Sequence, residues 1–254
     1  MHITHAERLL QDLGITEPDE IDLDAIAYHV GARVRYRPLE GCEARIIGTR
    51  NEAIITVKCD SSTRRKRFSI AHELGHWHHH RGQCLVCRAE EMRPGGALSR
   101  ERVADSFAAD LLMPAYLFKP LAQQHAKLTF KAVDALAESF KTSQTATAIR
   151  FVESNHTPAL LVCHGKNGRK WFARAPSVPP RWFPQDNLDA ESFAFDVLFA
   201  GKPGDALPRK IGADAWFDRR GVERFEVHEQ SCRVGSDEIL TLITFSDLRM
   251  LDDS

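Results

Sequence analysis

The chain has 254 residues, 43% of them hydrophobic and 27% charged, with a formal net charge of −1. That length can bury a core without disulfides, in one large domain or two small ones. The near-neutral balance argues against a protein that coats nucleic acid by bulk charge, and no apolar run approaches the roughly eighteen residues of a membrane-crossing helix.

The opening, MHITHAERLLQDLG, has no long apolar stretch and no small-residue cleavage site, so it does not read as a secretory signal. The cysteines at 42, 59, 84, 87, 163 and 232 are scattered apart from one C-x-x-C pair. Reduced thiols and a cytoplasmic location are the expectation. Leu9, Leu10 and Leu13 fall at helical spacing and predict a first helix that stops at Gly14. A short second helix in DLDAIAYHVG ends at Gly31, and ARVRYRPL then alternates as a strand. The runs EARIIGT and EAIITV, separated by Arg50 and Asn51, predict a hairpin. The strand Ala53 to Val57 is expected at a sheet edge, where an extended substrate could add alongside it.

A polar segment, DSSTRRKR, leads into a helix carrying FSIAHELGHWHHH. Met92 to Ser99 is turn-rich, and SRERVADSFAADLLMP restarts a helix with Ser99 as N-cap and Pro114 as its stop. Val103, Ala104, Phe107, Ala108, Leu111 and Leu112 form its apolar face. Helices over Phe130 to Phe140 and Ser143 to Val152, with a turn at Lys141 and Thr142, have helix-turn-helix spacing. The second of them offers only Arg150 as a charge, so packing or docking is favoured over DNA reading. Beyond Asn155 the texture becomes β-rich, interrupted by one helix around Ser192 to Phe199. These features predict an α+β chain with a boundary near residue 157.

His72-Glu73-Leu74-Gly75-His76 is H-E-x-x-H. Residues four apart share a helix face about 6 Å apart along the axis, so both imidazoles can converge on one ion. Glu73 projects about 100° further round, towards a water beside the ion, whose proton a carboxylate can take. The bland alternative is a helix whose histidines face solvent or core. A catalytic zinc needs a third protein ligand. His80 lies one turn too far along, and His78 and His79 project from other faces. Glu101 and Asp105, four apart beside an apolar face, are the better candidates: Glu101 as ligand, Asp105 as acceptor from a ligand histidine. Equally, Glu101 could simply favour a helix N-terminus. Cys84 and Cys87 could be half of a structural metal site completed by His78, His79 or His80, a redox pair, or two ordinary thiols.

FSIAHELGH followed by ERVADSFAADLLMP resembles the ImmA/IrrE family of bacterial zinc-dependent metallopeptidases. The resemblance implies a zincin-like domain over residues 1–156, including helix-turn-helix-like helices at about 128–153. A smaller β-rich, sensor-like domain follows over residues 157–254. It implies Zn2+, with Mn2+ as the alternative in the cell, held by His72, His76 and Glu101, with Glu73 as catalytic base. Asp105 stands where the family more often has Asn, as the partner of a ligand. The implied substrate is a helix-turn-helix repressor of the Xre type, whose cleavage derepresses stress, DNA-damage or mobile-element genes. Direct DNA binding and membrane association are not expected. The rival is a non-proteolytic regulatory or antitoxin-like protein that binds a repressor or DNA around a structural metal. Tyr116 and the remaining histidines are candidates for stabilising the oxyanion.

Overall fold

The structure, a computed structural model, describes residues 3–81 and 96–252. Packing divides the chain into two compact units, Met1–Pro120 with Ala137–Ser143, and Leu121–Leu136 with Gln144–Ser254. This division runs through the helix at 130–140 and differs from the boundary read near residue 157.

In the first unit, α1 (His5–Asp12) begins with a reciprocal cap: the Thr4 hydroxyl accepts from the Glu7 amide, and Glu7 accepts from the Thr4 amide. The other Glu7 oxygen accepts from the Ala115 amide at 2.7 Å, tying this turn to the start of α5 (Ala115–Gln123). After α2 (Leu23–His29), strands β1 (Ala32–Arg37), β2 (Ala44–Gly48) and β3 (Ala53–Lys58) form a sheet ordered β1-β3-β2. The expected hairpin is β2–β3, with Ala44 opposite Val57. The expected edge is not β3, however. β1 pairs parallel to its other side, Ala32 opposite Ala53, which buries Ile55 and Val57 fully and leaves β2 at the edge.

Two long helices complete this unit, α3 (Thr63–His80) and α4 (Gly96–Leu112). Helix α4 begins at Gly96, so Ser99 lies inside it and is not its N-cap. Pro114 does close α4, but the chain re-enters a helix at Ala115. The sequence hides α5 because Pro120, a residue that usually breaks helices, sits within it.

The second unit contains most of α6 (Phe130–Phe140), then α7 (Gln144–Glu153) and α8 (Phe193–Phe199). Its antiparallel sheet is ordered β5-β4-β8-β7-β6, from β4 (Ala159–Gly165), β5 (Gly168–Arg174), β6 (Arg209–Gly212), β7 (Glu226–Arg233) and β8 (Glu238–Phe245). A last turn, α9 (Arg249–Asp252), follows. Helix α7 packs on β4 and β5, and α8 on β7 and β8. Thr147, Ala148, Phe151 and Val152 are buried, so α7 spends its apolar face on packing.

All seven residues of the central strand β4 are buried, His164 among them, with the Trp216 ring 5.8 Å away. Neither His164 ring nitrogen has a hydrogen-bond partner among the described residues. Burial pushes its imidazole down to about 4, with Arg169 adding to the shift and Asp186 and the backbone at Gln185 opposing it. Below pH about 6.5 the unfolded chain therefore takes a proton that the folded chain refuses. Stability is expected to fall from there through pH 4, by at most about 3 kcal/mol from this residue. Urea unfolding at pH 7 and pH 4.5 tests this. His164→Leu should lose less stability than wild type between the two values, and equal losses would remove His164 as the cause.

Candidate metal centre

Helix α3 starts at Ser62, whose hydroxyl accepts from the Arg65 amide. Ile70, Ala71, Leu74 and Trp77 are buried, and the helix packs on β2 and β3. The Trp77 indole N–H donates to the Val30 carbonyl at 2.8 Å, which fixes the helix against the end of α2. Another part of its surface meets α4 at unusually short range. A Cβ on Gly75 would lie 2.8 Å from Ala104 Cα and 3.0 Å from its carbonyl oxygen. The backbones can approach this closely only because one side is glycine and the other alanine.

That approach brings Glu101 of α4 onto the two histidines of α3. The Nε2 atoms of His72 and His76 are 3.1 Å apart. Glu101 Oε2 is 3.1 Å from the first, and Oε1 is 3.3 Å from the second. On its far side, His72 Nδ1 donates to Asp105 Oδ1 at 2.9 Å. A neutral His72 that donates through Nδ1 presents the Nε2 lone pair inward, towards the other two donors. Ligands of a tetrahedral ion with bonds of about 2.0–2.2 Å stand roughly 3.3–3.5 Å apart, so this donor set fits a divalent cation with little movement. The start of α4 also matters: Glu101 is in its second turn, where a helix N-terminus exerts little pull.

Glu73 lies beside this group and is 5% exposed. Its Oε2 has no hydrogen-bond partner among the described residues. Burial, and then the Glu101 carboxylate, push its carboxyl up to about 8. A cation at the donor set would act in the opposite direction. A buried carboxylate with a free oxygen beside three converging metal donors is an arrangement suited to proton transfer.

Beside His72 and Glu73 opens a cleft of about 510 Å³, also lined by Glu43, Lys58, Arg65 and Phe68. Ala44, the first residue of the edge strand β2, lines it too. Tyr116 does not line the cleft, and its hydroxyl donates to the Ile15 carbonyl at 2.8 Å, so the oxyanion role considered for it has no support in its position. His78 and His79 turn towards His5 and Phe107. Cys84 and Cys87, and the side chain of His80, lie outside the described residues. Gly75 and Ala104, the pair that sets the helix spacing, carry no sequence signal beyond being small.

Among solved structures, a Mycobacterium tuberculosis transcriptional regulator shares the fold with a TM-score of 0.64. The two sequences are 15% identical, and the match covers 94% of this chain and 75% of that one. No curated protein sequence matches the chain. Residues 27–152 match the family model described as the IrrE N-terminal-like domain, Peptidase_M78. His72, Glu73, His76, Glu101 and Asp105 all fall inside that segment, and through it the chain belongs to the ImmA/IrrE family of metallopeptidases.

Proposed function

We propose that the chain is a zinc-dependent endopeptidase of the cytoplasm that makes a limited cut in a helix-turn-helix repressor of the Xre type, derepressing stress, DNA-damage or mobile-element genes. The observation that carries this reading is the buried Glu73 carboxyl, whose Oε2 has no hydrogen-bond partner among the described residues, beside His72, His76 and Glu101. A purely structural ion has no use for such a neighbour. The IrrE-type domain, and a fold shared with a transcriptional regulator, support a regulatory setting. In functional terms, residues 1–156 act as the peptidase part and residues 157–254 as a sensor-like β-rich part.

His72, His76 and Glu101 would hold the ion, and two imidazoles with one carboxylate suit zinc, with manganese the alternative. When bound, the ion supplies a Lewis acid that polarises the scissile carbonyl and acidifies water. Glu73 accepts a proton from the attacking water and delivers one to the departing amine. Asp105 acts through His72, holding its ring in the tautomer that points Nε2 at the ion. An extended substrate segment lies in the cleft alongside the edge strand β2.

Glu73→Gln tests the reading. The variant should keep its metal and cut the Xre-type repressor encoded nearest to this gene about 10²–10⁴-fold more slowly than wild type. If wild type and variant both leave that repressor intact with metal bound, the peptidase reading fails.

A further inference from the structure

We propose that His5, His78 and His79 form a second metal site, nearer the C-terminal end of α3 than the first, which takes a late first-row divalent ion such as Zn2+. His5 opens α1, and the other two close α3. The three rings offer nitrogen donors that all lie within 4.8 Å of one another. His78 Nε2 and His5 Nδ1 are 3.0 Å apart, and the His5 ring centroid is 5.0 Å from that of His78 and 6.0 Å from that of His79. Donors around a tetrahedral ion with nitrogen bonds of about 2.0–2.1 Å stand roughly 3.4 Å apart. The observed spread closes to that distance by small rotations of exposed side chains.

The rings are held before any ion arrives. His5 lies in the first turn of a helix anchored by the Thr4–Glu7 cap and by the Glu7 bond to Ala115. Phe107, itself buried, stacks under the His78 ring at 5.2 Å and meets His79 edge-on at 5.8 Å. The nearby cation is directed elsewhere: the Arg81 guanidinium lies 4.2 Å over the Trp77 ring and donates to the Val30 carbonyl. Imidazole is the ligand that zinc, nickel and copper share, whereas calcium and magnesium select oxygen, which fixes the class of ion. All three histidines are exposed, so the ion can enter from solvent and keep open coordination positions on that side. Once bound, it joins the first turn of α1 to the last turn of α3.

The test is a calorimetric Zn2+ titration of the full chain after chelator treatment. Wild type should bind about two equivalents. His72→Ala with His76→Ala should leave about one, and adding His5→Ala and His78→Ala should weaken that remaining equivalent at least about tenfold. In the otherwise native chain, His5→Ala should weaken the second equivalent and leave the first, and cleavage, unchanged, so this site can fail or hold independently of the peptidase reading. The proposal is overturned if wild type binds a single equivalent, or if the second survives loss of His5 and His78. The latter result, with loss of that equivalent in Cys84→Ser with Cys87→Ser, would assign the ion to the cysteines. Loss in the histidine variants assigns it to the cluster, whether or not the cysteines contribute.

Discussion

Glu101→Ala is expected to abolish tight metal capture and cleavage while the fold survives. The side chain is 46% exposed, so its removal opens no cavity. Its two oxygens are the contacts that face both histidines, at 3.1 and 3.3 Å, and without them only two imidazoles remain. The affinity loss should exceed the roughly 10–100-fold that follows when a group orienting a ligand is removed. Asp105→Ala provides that lower mark in the same protein, because Asp105 contacts the far nitrogen of His72 and not the inward donor group. Competition with a chromophoric chelator, run beside a thermal melt of the metal-free protein, separates the cases. If Glu101→Ala binds metal as tightly as Asp105→Ala, Glu101 is not the third ligand.

Gly75→Ala should damage the same centre from behind. Its new methyl meets backbone atoms of Ala104 at 2.8 and 3.0 Å, and backbone cannot swing aside as a side chain can. Helices α3 and α4 must separate, at a cost of about 1–3 kcal/mol. Because Glu101 rides on α4, that separation pulls its carboxylate away from His72 and His76. Metal affinity should therefore fall together with the melting temperature, although alanine is the better helix former. A variant that melts earlier but binds metal like wild type would show that the centre tolerates a wider spacing.

The features legible in the sequence were local and periodic. H-E-x-x-H on one helix, the apolar stripe from Val103 to Leu112 and the β2–β3 hairpin all depend on neighbours a few residues apart. Glu101 could be nominated from its spacing with Asp105, but its alternatives could be weighed only once α4 was seen to start at Gly96. Contacts distant in sequence were not legible. The parallel pairing of β1 with β3 joins Ala32 to Ala53 and has no local signature, so the edge falls on β2 where the local pattern alone points to β3. His5 meets His78 across 73 positions, which no spacing rule anticipates. Short or proline-bearing elements were missed for another reason: β6 has four residues, and Pro120 contradicts the helix it occupies.

The candidate ligands of the first centre come from two helices joined by the chain from His76 to Glu101, 25 positions apart. An ion shared by them is thus a removable cross-link. By the chain-entropy relation used for disulfides, closing a loop of that length restricts the unfolded chain by about 3.5 kcal/mol. The cost grows only logarithmically, about 0.6 kcal/mol for each doubling of length. By that relation, the number of residues separating the two halves of the centre has little effect on this contribution, provided the α3–α4 contact at Gly75 and Ala104 is kept. Removing the ion should therefore cost the folded chain part of that contribution, and a melt with and without a chelator reads it.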